Sequence, residues 1–181
     1  MSDDVLAMCD QFEGAQREAV KTTLQGFIDA LPGGDLVVTY GMPSIKVGGS
    51  HLISVWGFKS HNSIFPGPAS IARLADKVVN YTVSKGTVQF DKDKPLPSSL
   101  IKAFAKTTIA SHNARFPKKD GTYYEYYDNG FLKQKGKYRD GQMHGKWEWY
   151  RRDGSLMRTG AFNKGEQTGE WATYTRDGSQ V

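Results

Sequence analysis

The side chains with the most chemistry to offer are few and scattered. His51, His61, His112 and His144 form no HxxH, HExxH or CxxC-type set, so a zinc site would need ligands gathered from distant segments. No serine is framed by a G-x-S-x-G elbow, and Gly57-Phe58-Lys59-Ser60 ends like a phosphate loop without its earlier glycine and spacing. No catalytic signature follows, and the expectation is a protein that is not an enzyme. Two sets read instead as binding groups. Met42 and Pro43 in a turn, Lys59 and His61 in a loop and Lys85 before Gly86 would, if one end of a sheet gathers them, give apolar walls and two or three cations to a small anionic ligand. Ungathered, they are a rigid turn and solvated lysines. Trp149, flanked by Arg151 and Arg152, reads as a partner-binding anchor or as a ring packed against the rest of the chain.

Two kinds of structure must position these groups, because the composition changes near Pro117. Residues 121–181 hold 12 of the 22 aromatic residues and 10 of the 20 glycines. Gly130, Gly154 and Gly178 fall 24 residues apart, as do Gly136 with Gly160, Gly141 with Gly165, and Gly145 with Gly169. Tyr123, Trp147 and Trp171 keep that interval, and so do Tyr126, Tyr150 and Tyr174, which marks an internal repeat of about two and a half units. Trp149 lies outside the repeating set, since Glu125 and Thr173 occupy its equivalents. Each unit reads as two short strands, with Asn129-Gly130, Asp153-Gly154 and Asp177-Gly178 as tight turns in which both central residues take positive φ. Gly136 and Gly160, inside strands, are expected to leave room for a neighbouring ring. Trp147 and Tyr150, three apart, require either a bulge or two covered faces.

The pattern G-x-Y/F-x-x-G-x-x-x-G-x-W-x-x-Y-x-x-D-G runs through Gly136, Tyr138, Gly141, Gly145, Trp147, Tyr150, Asp153 and Gly154. It returns in Gly160, Phe162, Gly165, Gly169, Trp171, Tyr174, Asp177 and Gly178, and it resembles the bacterial variant of the MORN repeat. That resemblance implies a ribbon of antiparallel hairpins acting as scaffold or binding surface. So few units are short of a free-standing array, so the ribbon is expected to dock on the N-terminal part or on another copy of itself.

Apolar spacing over residues 5–31 predicts two helices divided at Glu13-Gly14, the second stopped by Pro32-Gly33-Gly34. Strands are expected at 36–40, 44–47, 51–58 and 87–90, with Gly41-Met42-Pro43 as a turn. Further helices are expected from Gly67-Pro68 to about residue 79 and from Pro97-Ser98 to about residue 111. The fold class is α+β, with N-terminal helices packed on an antiparallel sheet (1–116) followed by an all-β ribbon of hairpins (117–181).

Tyr40-Gly41-Met42-Pro43-Ser44, Gly57-Phe58-Lys59-Ser60-His61, Phe65-Pro66, Tyr81, the 84–90 stretch and Pro95-Leu96-Pro97 together resemble the YdhG-like domain over residues 4–112. This bacterial family of unknown function is sometimes labelled a frataxin-like intracellular iron chaperone. The label implies iron held by hard oxygen ligands. Asp3, Asp10 and Glu13 are the acids whose helical spacing would place them on one face; the competing reading is that they complement helix dipoles and face solvent.

Composition bounds the rest. The 181 residues carry a net charge of +5 with 38% hydrophobic and 12% aromatic residues, a globular rather than disordered balance. The positive charge is spread over both parts. Lys133, Lys135, Lys137 and Arg139 come nearest to a phosphate track but read as an alternating solvated strand face, so nucleic acid is not the expected partner. Lipid is no better supported, since the repeats carry little excess charge to attract an anionic surface. An acidic start and Cys9 as the sole cysteine make the cytoplasm the expected location. The expected function is therefore a non-enzymatic cytoplasmic adaptor without cofactor, binding a ligand or partner in the N-terminal domain and a protein, or itself, through the repeats. The alternative is iron or other metal handling.

Overall fold

A computed structural model of the chain describes residues 2–181, with Met1 outside them, and shows four α-helices and eleven strands. Helix α1 (Ser2–Ala7) runs into a 3-10 turn (Met8–Gln11), and α2 (Gly14–Ala30) begins after the expected break. Helix α3 (Pro68–Arg73) is shorter than its apolar pattern predicts and gives way to a 3-10 turn at Ala75–Lys77. Helix α4 spans Ser98–Asn113. A Cβ placed on Gly26 of α2 would lie 2.9 Å from Ile101 Cδ1 of α4, so the Ile101 side chain packs directly on the α2 backbone there.

Six strands form one antiparallel sheet: β1 (Asp35–Thr39), β2 (Met42–Val47), β3 (Ser50–Gly57), β4 (Asn62–Ile64), β5 (Thr82–Ser84) and β6 (Thr87–Phe90), in the order β1-β2-β3-β4-β6-β5. The short β4 and β5 are absent from the sequence reading, since three residues show no periodicity. The first hairpin also turns earlier than expected. Tyr40 and Gly41 take φ of 52° and 74°, the pair of positive values of a two-residue hairpin turn, which puts Met42 and Pro43 on β2. Met42 closes the turn against Thr39, so at Pro43 the missing N–H falls on the side away from β1 and the β1–β2 ladder loses no bond.

Val20, Leu24 and Phe27 of α2, Ile101, Phe104 and Ile109 of α4, and Ile53, Val55, Ile64 and Val88 of the sheet lie in one buried cluster. Each such side chain contributes about 1.5–3 kcal/mol by leaving water. Cys9 belongs to this cluster at 0% exposure, and burial pushes its thiol up to about 11. The expected result is that Cys9 resists iodoacetamide at neutral pH in the native protein and reacts on unfolding in urea. Rapid native alkylation, read by mass spectrometry, would contradict the placement.

The remaining strands, β7 (Gly121–Tyr126), β8 (Leu132–Arg139), β9 (Gln142–Tyr150), β10 (Leu156–Asn163) and β11 (Glu166–Thr173), form a meander in chain order. Its turns reverse the sequence expectation. The two-residue turns with both φ positive are Asp140-Gly141 and Lys164-Gly165. The Asn/Asp-Gly turns are longer: Gly154 N–H donates to the Arg151 carbonyl and Arg151 N–H to that of Ser155, with only the glycine in the left-handed region. The same bonds recur around Gly130 and Gly178. An aspartate carboxylate that binds the Ser155 N–H already organises this loop, so its own φ stays negative.

Both in-strand glycines make room for rings. A Cβ on Gly136 would stand 2.2 Å from Trp147, and one on Gly160 would stand 2.4 Å from Trp171. The Trp147–Tyr150 spacing is resolved by covering both faces. Trp147 and Trp149 share one face, Glu148 and Tyr150 the other; the extra residue opposite the Trp149–Tyr150 step is Met157 on β10, whereas the shift against β8 falls on β9 itself, where residues 145–147 stand opposite Gly136.

Candidate functional site

The two parts meet along the first hairpin of the ribbon. Asn113, the last residue of α4, accepts a hydrogen bond from Tyr126 N–H through Oδ1 and donates to the Tyr126 carbonyl through Nδ2, both at 2.9 Å. Gly33 N–H donates to the Asn129 carbonyl at 3.1 Å. The Tyr126 ring lies 5.1 Å from that of His112, and Phe116 bridges edge-on to both His112 and Tyr124. A Cβ on Gly33 would lie 2.2 Å from Phe131 N, so backbone rests on backbone here.

This junction creates a groove. Gly26 and Ala30 of α2 and Ile101 and Ala105 of α4 form its apolar floor, and Asp128, Asn129 and Arg152 from two ribbon turns form its far wall, enclosing about 470 Å³. A second hollow of about 590 Å³ continues it over Gly26 and Ile101 toward Lys21 and Pro95. The floor is small-residued because the helices approach at Gly26; the rim is charged. Asp29 accepts from Gln25 at 2.8 Å, and Asp128 pairs with Arg152 at 2.6 Å. Lys102 and Lys106, one turn apart on α4 and exposed, have no ion-pair partner among the described residues. The groove is therefore apolar below and basic along one edge.

The sequence-predicted ligand set is not assembled. Met42, with Lys59 and His61 in the β3–β4 loop, lies at one end of the sheet, whereas Lys85 lies in the β5–β6 turn at the other. Strand β6 runs antiparallel to β4, pairing Ile64 with Val88 and Asn62 with Phe90, so the start of β6 sits away from the 58–61 loop. Pro43 is buried. His61 stacks on Phe58 at 5.1 Å and approaches Ser60 Oγ at 3.2 Å.

The partner-anchor set is occupied within the ribbon. Trp149 stacks between Trp147 at 6.0 Å and Trp171 at 5.6 Å, and its Nε1–H donates to Gln134 Oε1 at 3.0 Å. Arg151 donates to the Leu156 carbonyl at 2.9 Å and to the Tyr174 carbonyl, and Arg152 covers the Tyr127 ring beside Asp128. These arginines tie successive turns together. The acids stay apart as well. Asp3 is on α1, Asp10 on the 3-10 turn and Glu13 at the cap of α2, with the chain reorienting at Phe12, and Asp10 stands 3.9 Å from Lys21. Among the described residues no three acidic, histidine or cysteine side chains gather as metal ligands.

The groove escapes sequence reasoning because its far wall comes from ribbon turns well beyond the end of α4 in the chain. One signal was present: Lys102 and Lys106 border the buried stripe of α4 at helical spacing. His112 was legible in the same way, since Ile101, Ala105, Thr108 and His112 follow the buried face. No helix is long and apolar enough to cross a membrane among the described residues.

No protein-family model matches the chain, and no curated protein does. Among solved structures it is similar to the crystal structure of YdhG, a DUF1801 family protein from Bacillus subtilis determined at 1.75 Å resolution. The TM-score is 0.55 at 18% sequence identity, covering 60% of this chain and 90% of that one. What this likeness carries is a fold, a YdhG-like arrangement over 60% of the chain.

Proposed function

We propose that the protein is a non-enzymatic adaptor that holds an acidic, leucine-bearing segment of a partner protein in the groove between α2, α4 and the first ribbon turns. The observation that carries this reading is the apolar floor edged by the unpaired Lys102 and Lys106. Such a trough accepts apolar side chains below and carboxylates along its rim. Within this reading the 24-residue units are bacterial MORN-type repeats that furnish one wall of the groove, and the adaptor works in the cytoplasm. Iron handling is less supported, because the acids it would use are separated.

Fluorescence anisotropy with a labelled Glu/Leu-rich peptide and its Lys/Leu counterpart tests the reading. The expected result is saturable binding of the acidic peptide alone, weakened by salt. Reversing both lysines, Lys102→Glu with Lys106→Glu, should cost about tenfold in affinity while the circular dichroism stays unchanged. Equal binding of the two peptides, or full affinity in the reversed variant, would refute it.

A further inference from the structure

On the other side of α4 from the groove, a cavity of about 280 Å³ lies between the end of that helix, the start of β3 and the Pro66–Pro68 segment. His112 lines it at 3% exposure, and neither ring nitrogen has a hydrogen-bond partner. Ser111 Oγ, also lining it, is buried and unpartnered. Buried polar atoms are paired in the great majority of proteins, so three such atoms at one cavity mark a missing partner. Apart from the Ser70 and Thr108 hydroxyls, the remaining polar lining is basic. His51 faces the cavity with one nitrogen already 2.8 Å from Ser54 Oγ, and Arg115 supplies a permanent positive charge. Among the described residues no carboxylate lines the cavity.

We propose that this cavity binds a small oxyanion, the phosphate or carboxylate group of a compact metabolite, through His112, Ser111, His51 and Arg115. Hydroxyl, imidazole and guanidinium groups converging without a carboxylate match an anion and oppose a cation. Its size, at the lower end of small-molecule sites, restricts the ligand to a few heavy atoms beyond the charged group. Burial and the neighbouring Arg115 hold His112 below the ordinary histidine range, and burial with Lys46 does the same for His51. A bound anion opposes these influences by favouring the charged imidazolium, and so raises the two pKa values. The site also touches the junction. The His112 ring packs on Tyr126, and the next residue, Asn113, holds the Tyr126 backbone, so an occupied cavity favours the docked ribbon.

Four histidines make the test direct. The Cε1–H resonances of the full-length protein are followed by NMR during titration with inorganic phosphate and, separately, with succinate, at constant ionic strength set by chloride. The expected result is a saturable shift of His112 and His51 with at least one probe, a raised His112 pKa, and no matching response from His61 or His144. Which probe acts identifies the oxyanion. Ser111→Ala and Arg115→Gln each weaken binding about tenfold while leaving the free spectrum folded. If His112 does not move with either probe, moves no more than His61 does, or is shifted equally in both variants, the proposal is overturned. Because the readout involves neither lysine of the groove, its failure is separable from failure of the peptide-binding reading.

Discussion

Trp147→Ala is expected to destabilise the hairpin ribbon by about 3–5 kcal/mol, the usual cost of emptying a large buried aromatic site. Trp147 is 1% exposed and is the centre of the ribbon's own core. Tyr138 meets it edge-on at 5.3 Å, Tyr123 lies at 5.9 Å, Trp149 stacks at 6.0 Å and Phe162 meets it edge-on at 6.4 Å. Its indole sits directly over Gly136, with no side chain between ring and backbone. Part of the loss is offset, since the Trp147 Nε1–H is buried without a partner and its removal relieves that cost. Urea unfolding followed by circular dichroism, with near-ultraviolet signals reporting the Trp147–Trp149–Trp171 stack, measures the effect. The reciprocal change, Gly136→Ala, should cost about 1–3 kcal/mol by overpacking the same place. An unchanged midpoint for both would mean that the ring does not rest on the glycine.

The second large effect is expected from Gly33→Ala, which should separate the ribbon from the rest of the molecule. The added Cβ would lie 2.2 Å from Phe131 N and 2.4 Å from Gly130 C, and these are backbone atoms that no rotamer change can move aside. Relief requires the turn at Asn129–Gly130 to retreat, breaking the bond from Gly33 N–H to the Asn129 carbonyl. The groove wall formed by Asp128, Asn129 and Arg152 retreats with it. Limited proteolysis should then cut within residues 114–120 at least tenfold faster than in the parent protein, since opening by about 1.4 kcal/mol or more exposes that segment in proportion. Small-angle scattering should show a larger radius of gyration with the helical and strand signals preserved. Parent-like proteolysis would mean that the junction does not depend on this approach, and acidic-peptide binding should then also persist.

The repeat and the junction differ in how they could be read. The 24-residue period, the glycine at each turn and the glycine beneath each ring are visible along the chain, because each involves only a strand and its immediate neighbour. Helix breaks at Gly14 and beyond Ala30 are equally local. The expected Gly41-Met42-Pro43 turn starts one residue and ends two residues too late for a local reason of the opposite kind: Tyr40 accepts a left-handed conformation that its type disfavours, and the hairpin closes around it. Trp149 shows where local reasoning stops. Its neighbours in sequence, two arginines, describe a surface anchor; its neighbours in space, Trp147 and Trp171, come from its own strand and from β11, two strands along the meander.

The amino-acid order by itself determined the repeat, the glycine turns of its units, the break before α2 and the apolar stripe of α4, since these follow from local turn chemistry and from periodicities of 3.6 and 24 residues. Only the tertiary structure decided that Lys85 stands at the opposite end of the sheet from Lys59 and His61, that Arg151 and Arg152 are spent on neighbouring turns, and that Gly33 and Asn129 touch to build a groove. Those outcomes depend on strand order and on the close approach of distant backbone segments, and neither leaves a periodic mark in the chain.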